Sequence, residues 1–423
     1  WLKDYLKFDL QPEKVAETLT STGLEVEHIE QVEQIPGGLA GVVVAHVLEC
    51  VEHPDSDHLH ITRLDVGTGE TLQVVCGAPN VAAGQKVLLA TVGTKLVTYA
   101  GEEIKLKKSK IRGVESFGMI CAADELGLGE DHAGIMVLPE TAVPGTTAKE
   151  QLQLKCDTVY EIGLTPNRID GASHIGAARD LYAYCQLNNI PCEWTLPVVD
   201  AFAEGEGEAI PLEVKAADGA PRYIGITIKN VKVGPSPEWL RDRLNAIGQR
   251  PINNIVDITN FIINEMCQPL HVFDAAQIKG GKVIVRRAAE GEKLTTLDGV
   301  ERTLSAEDLV IADTEKPMCI AGVFGGEFSG VTEQTTDVFL ECAYFNPVSI
   351  RKTSKRHTLK TDASFRYERG IDPQNCLYAA KRAALMIADL AGGTITGKIQ
   401  EFYPQPIEKS VVDLNYRRME ELI

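Results

Sequence analysis

The sequence predicts a multidomain α+β protein: a small N-terminal α/β unit, a β-barrel inserted after it, and a larger mixed α/β domain. Three observations predict this. The 423 residues exceed what one hydrophobic core organises, so two to four domains are expected. From Leu39 to Pro144, short β-rich runs are separated by Gly, Pro, Asn and Asp, the pattern of a small closed barrel. From Pro211 to Pro404 strand and helix patterns alternate, after a polar Gly-rich stretch at Ala203–Ala209 that reads as a linker.

Residues 1–38 form the first unit. Pro12–Ser21 has helical periodicity and stops near Gly23, Glu25–Val32 alternates like a strand, and the turn Ile35-Pro-Gly-Gly38 marks a boundary. Residues 39–150 hold the barrel, with strands in GVVVAHVLECVEH, HITRLDVG, TLQVVCG, KVLLATVG and GIMVLP; the length fits an oligonucleotide-binding (OB) barrel. Residues 151–200, with a helix over Ser173–Leu187, are expected to complete the first unit. Residues 201–400 form the mixed α/β domain. There Ser236 can N-cap a helix, with Pro237 at its first position and Gly248 past its end. Another helix starts at Asp372-Pro373 and runs to Gly392-Gly393. Residues 401–423 begin a further domain and break off in a helical pattern.

Composition bounds the function classes. A content of 44% hydrophobic and 24% charged residues is ordinary for a soluble protein. The longest apolar runs are strand length and no secretory leader opens the chain, so no membrane role and a cytoplasmic location are expected. The ten cysteines are scattered without a CxxC, which argues against zinc ribbons and for reduced thiols. A net charge of −18 argues against global attraction to nucleic acid. Phosphates, however, respond to charge within a Debye length of roughly 8–10 Å. Two islands are locally basic. Gly101–Gly113 has five cations (Lys105, Lys107, Lys108, Lys110, Arg112) and two anions; Arg351–Gly370 has seven cations, Arg351, Lys355 and Arg356 among them, and two anions. Either is a solvated face or a nucleic-acid contact.

Three tempting motifs fail. The cluster His53-Pro-Asp-Ser-Asp-His58-Leu-His60 crowds its ligand-type residues into one loop, so no metal site is expected. Ser173-His-Ile-Gly176 and Lys352-Thr-Ser-Lys-Arg356 faintly echo class I synthetase signatures, but no strand and Gly-rich turn prepares a nucleotide site. Gly205-Glu-Gly207 lacks the third glycine of a dinucleotide fingerprint.

Two other stretches are harder to dismiss. In PINNIVDITNFIINEMCQPLHVFD the polar residues Asn253, Asn254, Asp257, Thr259, Asn260 and His271 interrupt an apolar background. Unpaired, each such group costs roughly 1–3 kcal/mol. They either satisfy loop backbone or converge on a polar ligand. In IAGVFGG and VFLECAYF, closely spaced glycines allow a ligand near backbone, and Glu341 stands among apolar residues where a carboxylate needs a partner. A structural ion pair and a functional site explain it equally well.

The residues now reached match one family. VEHPDSDHLHITRLDVG, VVCGAPNV, GQKVLLATVG, KIRGVESFGMICAADELGLG and GIMVLP resemble the tRNA-binding OB domain of bacterial phenylalanyl-tRNA synthetase β subunits. EIGLTPNRIDGASHIGAARDL is similar to the segment that follows it. RPINNIVDITNF, QPLHVFD, TTLDG, IAGVFGG, FLECAYF and TLKTDASFRYERGIDP resemble that family's editing domain. His58 departs from the family, which more often carries Lys there.

The resemblance implies a role. A phenylalanine pocket rejects tyrosine by only roughly 100-fold, so a second site must hydrolyse Tyr-tRNA(Phe). On this reading Glu341 accepts the phenol hydroxyl, and Gly325, Thr361 and Ala363 shape the substrate pocket. Thr259, Asn260 and His271 hold the aminoacyl ester and a water, with His271 moving a proton or orienting that water. Hydrolysis is expected without a metal and without a covalent enzyme intermediate. The cations at 105–112 and 351–356 are the expected tRNA contacts. No cofactor is expected in this segment; ATP and magnesium serve the whole synthetase. The implied partners are tRNA(Phe) and an α subunit, in a heterotetramer of two α and two β chains. Two alternatives stay open: a non-catalytic tRNA-binding and assembly module, and a free-standing aminoacyl-tRNA hydrolase, against which the unfinished last domain speaks.

Overall fold

The structure, a computed structural model, describes residues 1–422; Ile423, the last residue of the expected 401–423 segment, lies outside the described residues. The chain forms two compact units, Trp1–Ile29 with Tyr160–Ile423, and Glu30–Val159. The division falls within two paired strands, Glu25–Glu33 and Cys156–Gly163, which carry the chain out of the first unit and back. Together the units make a multidomain α+β protein. Helix α1 is Pro12–Ser21, as its periodicity predicts.

The Glu30–Val159 unit is built on a barrel-like antiparallel sheet. Its strands are β1 (Val42–Glu52), β2 (His60–Asp65), β3 (Thr71–Cys76), β4 (Lys86–Thr91), β5 (Gly118–Ile120) and β6 (Val137–Leu138). The order is β5-β4-β1-β2-β3, with β6 also on β4. The edges approach where Phe117 N donates to Gln73 O at 2.9 Å, so the sheet is nearly closed. Strand β1 reads as an unbroken apolar run because both faces are covered. Ala45 and Val47 pack inward with Leu64, Val74 and Leu89, and Val42 and Val44 face Ile35, Leu96 and Leu126. The basic run lies on a hairpin, Ser109–Ile111 with Val114–Ser116, anchored by Arg112 donating to Asp55 O at 2.5 Å. His53, a residue of the crowded cluster, is buried and contacts Ile111 O at 3.3 Å; it serves this loop.

In the other unit two sheets stack. The first, ordered β9-β14-β8-β15, contains β8 (Arg222–Lys229), β9 (Leu270–Asp274), β14 (Val338–Tyr344) and β15 (Thr394–Phe402), all antiparallel. The second is ordered β7-β10-β11-β12-β13, from β7 (Leu212–Val214), β10 (Val283–Arg287), β11 (Leu309–Ala312), β12 (Pro317–Ile320) and β13 (Phe324–Gly325). Strand alternation sorts the residues. Ile224, Ile226, Leu340 and Cys342 face helices α2 (His174–Leu187), α3 (Glu238–Ala246), α4 (Asn254–Met266) and α7 (Asn375–Ala391). Tyr223, Phe273, Phe339 and Ala343 face Ile311, Cys319 and Ile320 of the second sheet. Two short helices, α5 (Pro347–His357) and α6 (Asp362–Tyr367), follow β14.

Local expectations shift at three places. Pro237 is the N-cap of α3 rather than its first turn, because Ser236 gives its hydroxyl to buried Asp257 at 2.6 Å. Helix α7 starts at Asn375, since the Asp372 carboxylate accepts from Gln374 N in a turn. The 203–209 stretch is no free linker: Glu204 accepts from Ile399 N at 3.0 Å, and an added Cβ on Gly205 would lie 1.9 Å from Ile395 O.

Gly225 lets the Phe339 ring cross the middle of the first sheet, where an added Cβ would sit 2.2 Å from Phe339 Cζ. Overpacking of this kind costs roughly 1–3 kcal/mol. Gly225→Ala is therefore expected to lower the urea midpoint with an unchanged slope; an unaltered midpoint shows that the ring is free to move.

Candidate functional site

Strand β14 runs between β9 and β8, and that position decides what its side chains meet. Pairing places His271 and Gly225 directly across from Glu341, one on each side. Opposed residues project from one face with Cβ atoms about 4.5–5.5 Å apart. This face turns toward the second sheet. Glu341 is 4% exposed, and its Oε2 atom has no hydrogen-bond partner. Burial, with no cation offsetting it, pushes the carboxyl up to about 8. The ion-pair explanation of Glu341 therefore fails among the described residues.

His271 is half-buried, with its Nε2 atom enclosed and unpartnered. Burial lowers its pKa to about 4, so the imidazole is neutral at physiological pH. Gly325 of β13 closes over it: an added Cβ would lie 2.7 Å from Leu297 Cδ1 and 3.2 Å from His271 Cε1. The glycine is needed because these two side chains crowd it. Thr361 N-caps α6, accepting from Ser364 N at 3.1 Å, and donates to Val323 O at 2.9 Å. That bond ties α6 to the segment leading into Gly325. Ala363, in the first turn, packs against the same core.

Five predicted residues, Glu341, His271, Gly325, Thr361 and Ala363, thus lie around one inter-sheet core. Thr259 and Asn260 are on α4; Thr259 gives its hydroxyl to Val256 O at 2.7 Å, and no hydrogen bond joins either side chain to His271 or Glu341 among the described residues. Three neighbours in the same stretch serve the loop backbone. Asn253 caps α4 by accepting from Ile255 N and Val256 N, Asn254 donates to Lys232 O at 2.9 Å, and Asp257 accepts from Ile252 N at 2.8 Å. Tyr223, absent from the predicted set, shares the Glu341 face and has a fully buried hydroxyl with no partner. The one available signal is a tyrosine amid the apolar run of β8, where a phenol needs somewhere to bond.

The basic island at 351–370 divides. Arg351, Lys352, Lys355 and Lys360 are exposed. Arg356 is not free for phosphate: it pairs with Glu307 at 2.6 Å and with fully buried Asp308, which also binds Thr353 and His357. Arg366 is 7% exposed and donates to Ala172 O, and Arg369 lies 3.8 Å over the Phe365 ring. In the barrel, Lys105, Lys107, Lys108, Lys110 and Arg112 are all exposed; Lys108 pairs with Glu115 at 2.9 Å. Among the described residues no three His, Cys, Asp or Glu side chains group as metal ligands, and no helix is long and apolar enough to cross a membrane.

The raised Glu341 value carries a stability consequence. Between its unfolded value of 4.5 and about 8, the folded chain keeps a proton on Glu341 that the unfolded chain releases, so this group's contribution to stability falls as pH rises through the window, while His271 acts in the opposite sense up to about pH 6.5. Glu341→Gln is expected to flatten that slope and to be more stable than wild type at pH 8, read from denaturant midpoints at the two ends of the window. Identical slopes would place the carboxylate in contact with solvent or a cation.

Comparison with known proteins gives the family. Residues 42–147 match a family model described as "Putative tRNA binding domain", and residues 219–392 match the B3/4 domain. A solved N-terminal fragment of the phenylalanyl-tRNA synthetase β subunit from Pyrococcus horikoshii aligns over 63% of this chain and 73% of the fragment, at 18% identity and a TM-score of 0.32. Over its whole length the chain is 57% identical to the phenylalanine–tRNA ligase β subunit of Bacteroides fragilis and 52% identical to that of Porphyromonas gingivalis, spanning 52% of each. Matched along all its residues, and spanning about half the length of these curated relatives, the chain belongs to the phenylalanine–tRNA ligase β-subunit family.

Proposed function

We propose that this chain is the tRNA-binding and proofreading part of a phenylalanyl-tRNA synthetase β subunit, hydrolysing Tyr-tRNA(Phe) between the stacked sheets. The observation that carries the reading is Glu341, a buried carboxyl without a partner, set across from His271. A tyrosyl ester brings a phenol that fills its unmet hydrogen-bonding capacity. A phenylalanyl ester buries the same ring and leaves the carboxyl unsatisfied, which disfavours it. Gly325, Thr361 and Ala363 frame the ring and the terminal adenosine. Thr259 and Asn260, on α4 behind the first sheet, are assigned the ester only where it passes the edge strand β9. His271, neutral and with Nε2 enclosed, orients the attacking water and takes its proton transiently.

The rest of the chain fits this task. The barrel, residues 39–150, is read as an OB fold that grips tRNA through its basic hairpin. Residues 1–38 with 151–200 form the supporting unit, 201–400 the editing domain, and 401–423 the start of the next. Arg351, Lys352, Lys355 and Lys360 supply the cations facing the acceptor end, while Arg356 holds α5 in place. Aminoacylation with ATP and magnesium belongs to the whole cytoplasmic synthetase, through an α subunit in a heterotetramer.

Hydrolysis of Tyr-tRNA(Phe) and Phe-tRNA(Phe) tests the reading. His271→Ala is expected to slow release of tyrosine by on the order of 100-fold. Glu341→Ala is expected to cut the preference for tyrosyl over phenylalanyl ester by about as much. An intact ester with the wild-type protein would leave only a binding module, and an unaltered preference in Glu341→Ala would remove the carboxyl as the reader.

A further inference from the structure

Buried polar atoms without partners are rare in folded proteins. Seven side-chain atoms are in that condition among the described residues, and three of them, Tyr223 OH, Glu341 Oε2 and His271 Nε2, project from one face of one sheet. The function above uses Glu341 and His271. It leaves Tyr223 unexplained.

Tyr223 pairs with Ala343, two residues along from the Gly225–Glu341 pair and so on the same face. It is thus a diagonal neighbour of Glu341 on the same face, within reach of a long side chain. The Tyr223 side chain is fully buried, with its ring edge-on to Phe345 at 6.3 Å, so its hydroxyl does not reach water. The surroundings are apolar, with the Phe339 ring lying over Gly225. A second tyrosine in this core provides the contrast: Tyr367 donates to Pro269 O and Ala343 O, each at 3.2 Å. The Tyr367 hydroxyl is used by the fold; the Tyr223 hydroxyl is not.

A phenol has one proton to give and lone pairs to receive one. The carbonyl oxygen of the neutral Glu341 carboxyl meets the first requirement, which leaves the phenol lone pairs for a second polar group. We propose that Tyr223 is a second specificity residue, donating its hydroxyl proton to the phenol oxygen of the bound tyrosyl group while Glu341 accepts the phenol proton. This rests on the reading of Glu341 given above. With both partners in place, tyrosine satisfies two buried groups at once, and phenylalanine strands both.

The test is Tyr223→Phe in the full-length subunit within its native assembly, with Glu341→Ala in parallel. The readout is kcat/KM for hydrolysis of Tyr-tRNA(Phe) and of Phe-tRNA(Phe). The exchange removes one oxygen and keeps the ring, and a thermal melt checks that the variant folds. Tyr223→Phe is expected to lower the tyrosyl value about 10-fold and leave the phenylalanyl value unchanged. An equal fall for both esters would make Tyr223 a packing residue and overturn the proposal. A tyrosyl preference untouched by Tyr223→Phe but lost in Glu341→Ala would also overturn it, while leaving Glu341 as sole reader. A preference untouched by either substitution would sink the proofreading reading itself. In the double variant Tyr223→Phe/Glu341→Ala, the two losses should fall short of additive for the tyrosyl ester only, since both groups hold one oxygen; full additivity would overturn the shared ligand atom.

Discussion

A carboxyl group held inside an apolar sandwich is the constraint around which this unit is arranged. Glu341 lies on β14, which has a strand on either side and helices behind, so the side chain is held inside the sandwich at 4% exposure. Each unit by which burial lifts its pKa corresponds to about 1.4 kcal/mol of preference for the neutral form. A fold selected for stability alone would place a leucine there. The surrounding packing, with Tyr223, Phe273, Phe339 and Phe345 fully buried, is what makes such a group tolerable. Each aromatic side chain removes on the order of 150–250 Å² from water.

Burial acts on both members of the pair in opposite senses. It raises the acid and lowers the base, so both Glu341 and His271 are mostly neutral near pH 7. Two uncharged groups face each other with hydrogen-bonding capacity to spare, whereas an ion pair would have neutralised itself and offered little to a ligand. Positive charge is kept on the outer face, on α5 and the residues after it. There Arg351, Lys352, Lys355 and Lys360 stay hydrated while Arg356 is spent on Asp308. The separation suits the proposed substrate, a polyanion outside and a neutral ring within.

What the sequence discloses follows from the range of the forces involved. Helices α1 and α2 are legible because periodicity and caps are local: Ser173 accepts from Gly176 N, three residues on. The misplaced start of α3 is instructive, since Ser236 looks like a cap until Asp257, 21 residues away, takes its hydroxyl. Asn253, Asn254 and Asp257 could not be told from ligand-binding residues, because their backbone partners are set by tertiary contacts. Glu341, Gly325, Thr361 and Ala363 were reachable through family resemblance. Their convergence depends on strand register, which composition does not encode. Tyr223 escaped because its one local mark, a phenol amid an apolar strand, does not say what it faces; only the pairing of β8 with β14 brings its hydroxyl to the acid's side.

The excursion of the chain through residues 30–159 has a consequence during synthesis. Helix α1 buries Val15 and Leu19 in a core shared with Ile175, Ala178 and Leu181 of α2, which is made some 160 residues later. At translation rates of roughly 5–20 residues per second, the amphipathic N-terminal helix emerges and waits on the order of ten to thirty seconds for its partner. During that interval its apolar stripe is open to chaperones or to neighbouring nascent chains, and the inserted barrel, continuous in sequence, can mature first on the ribosome.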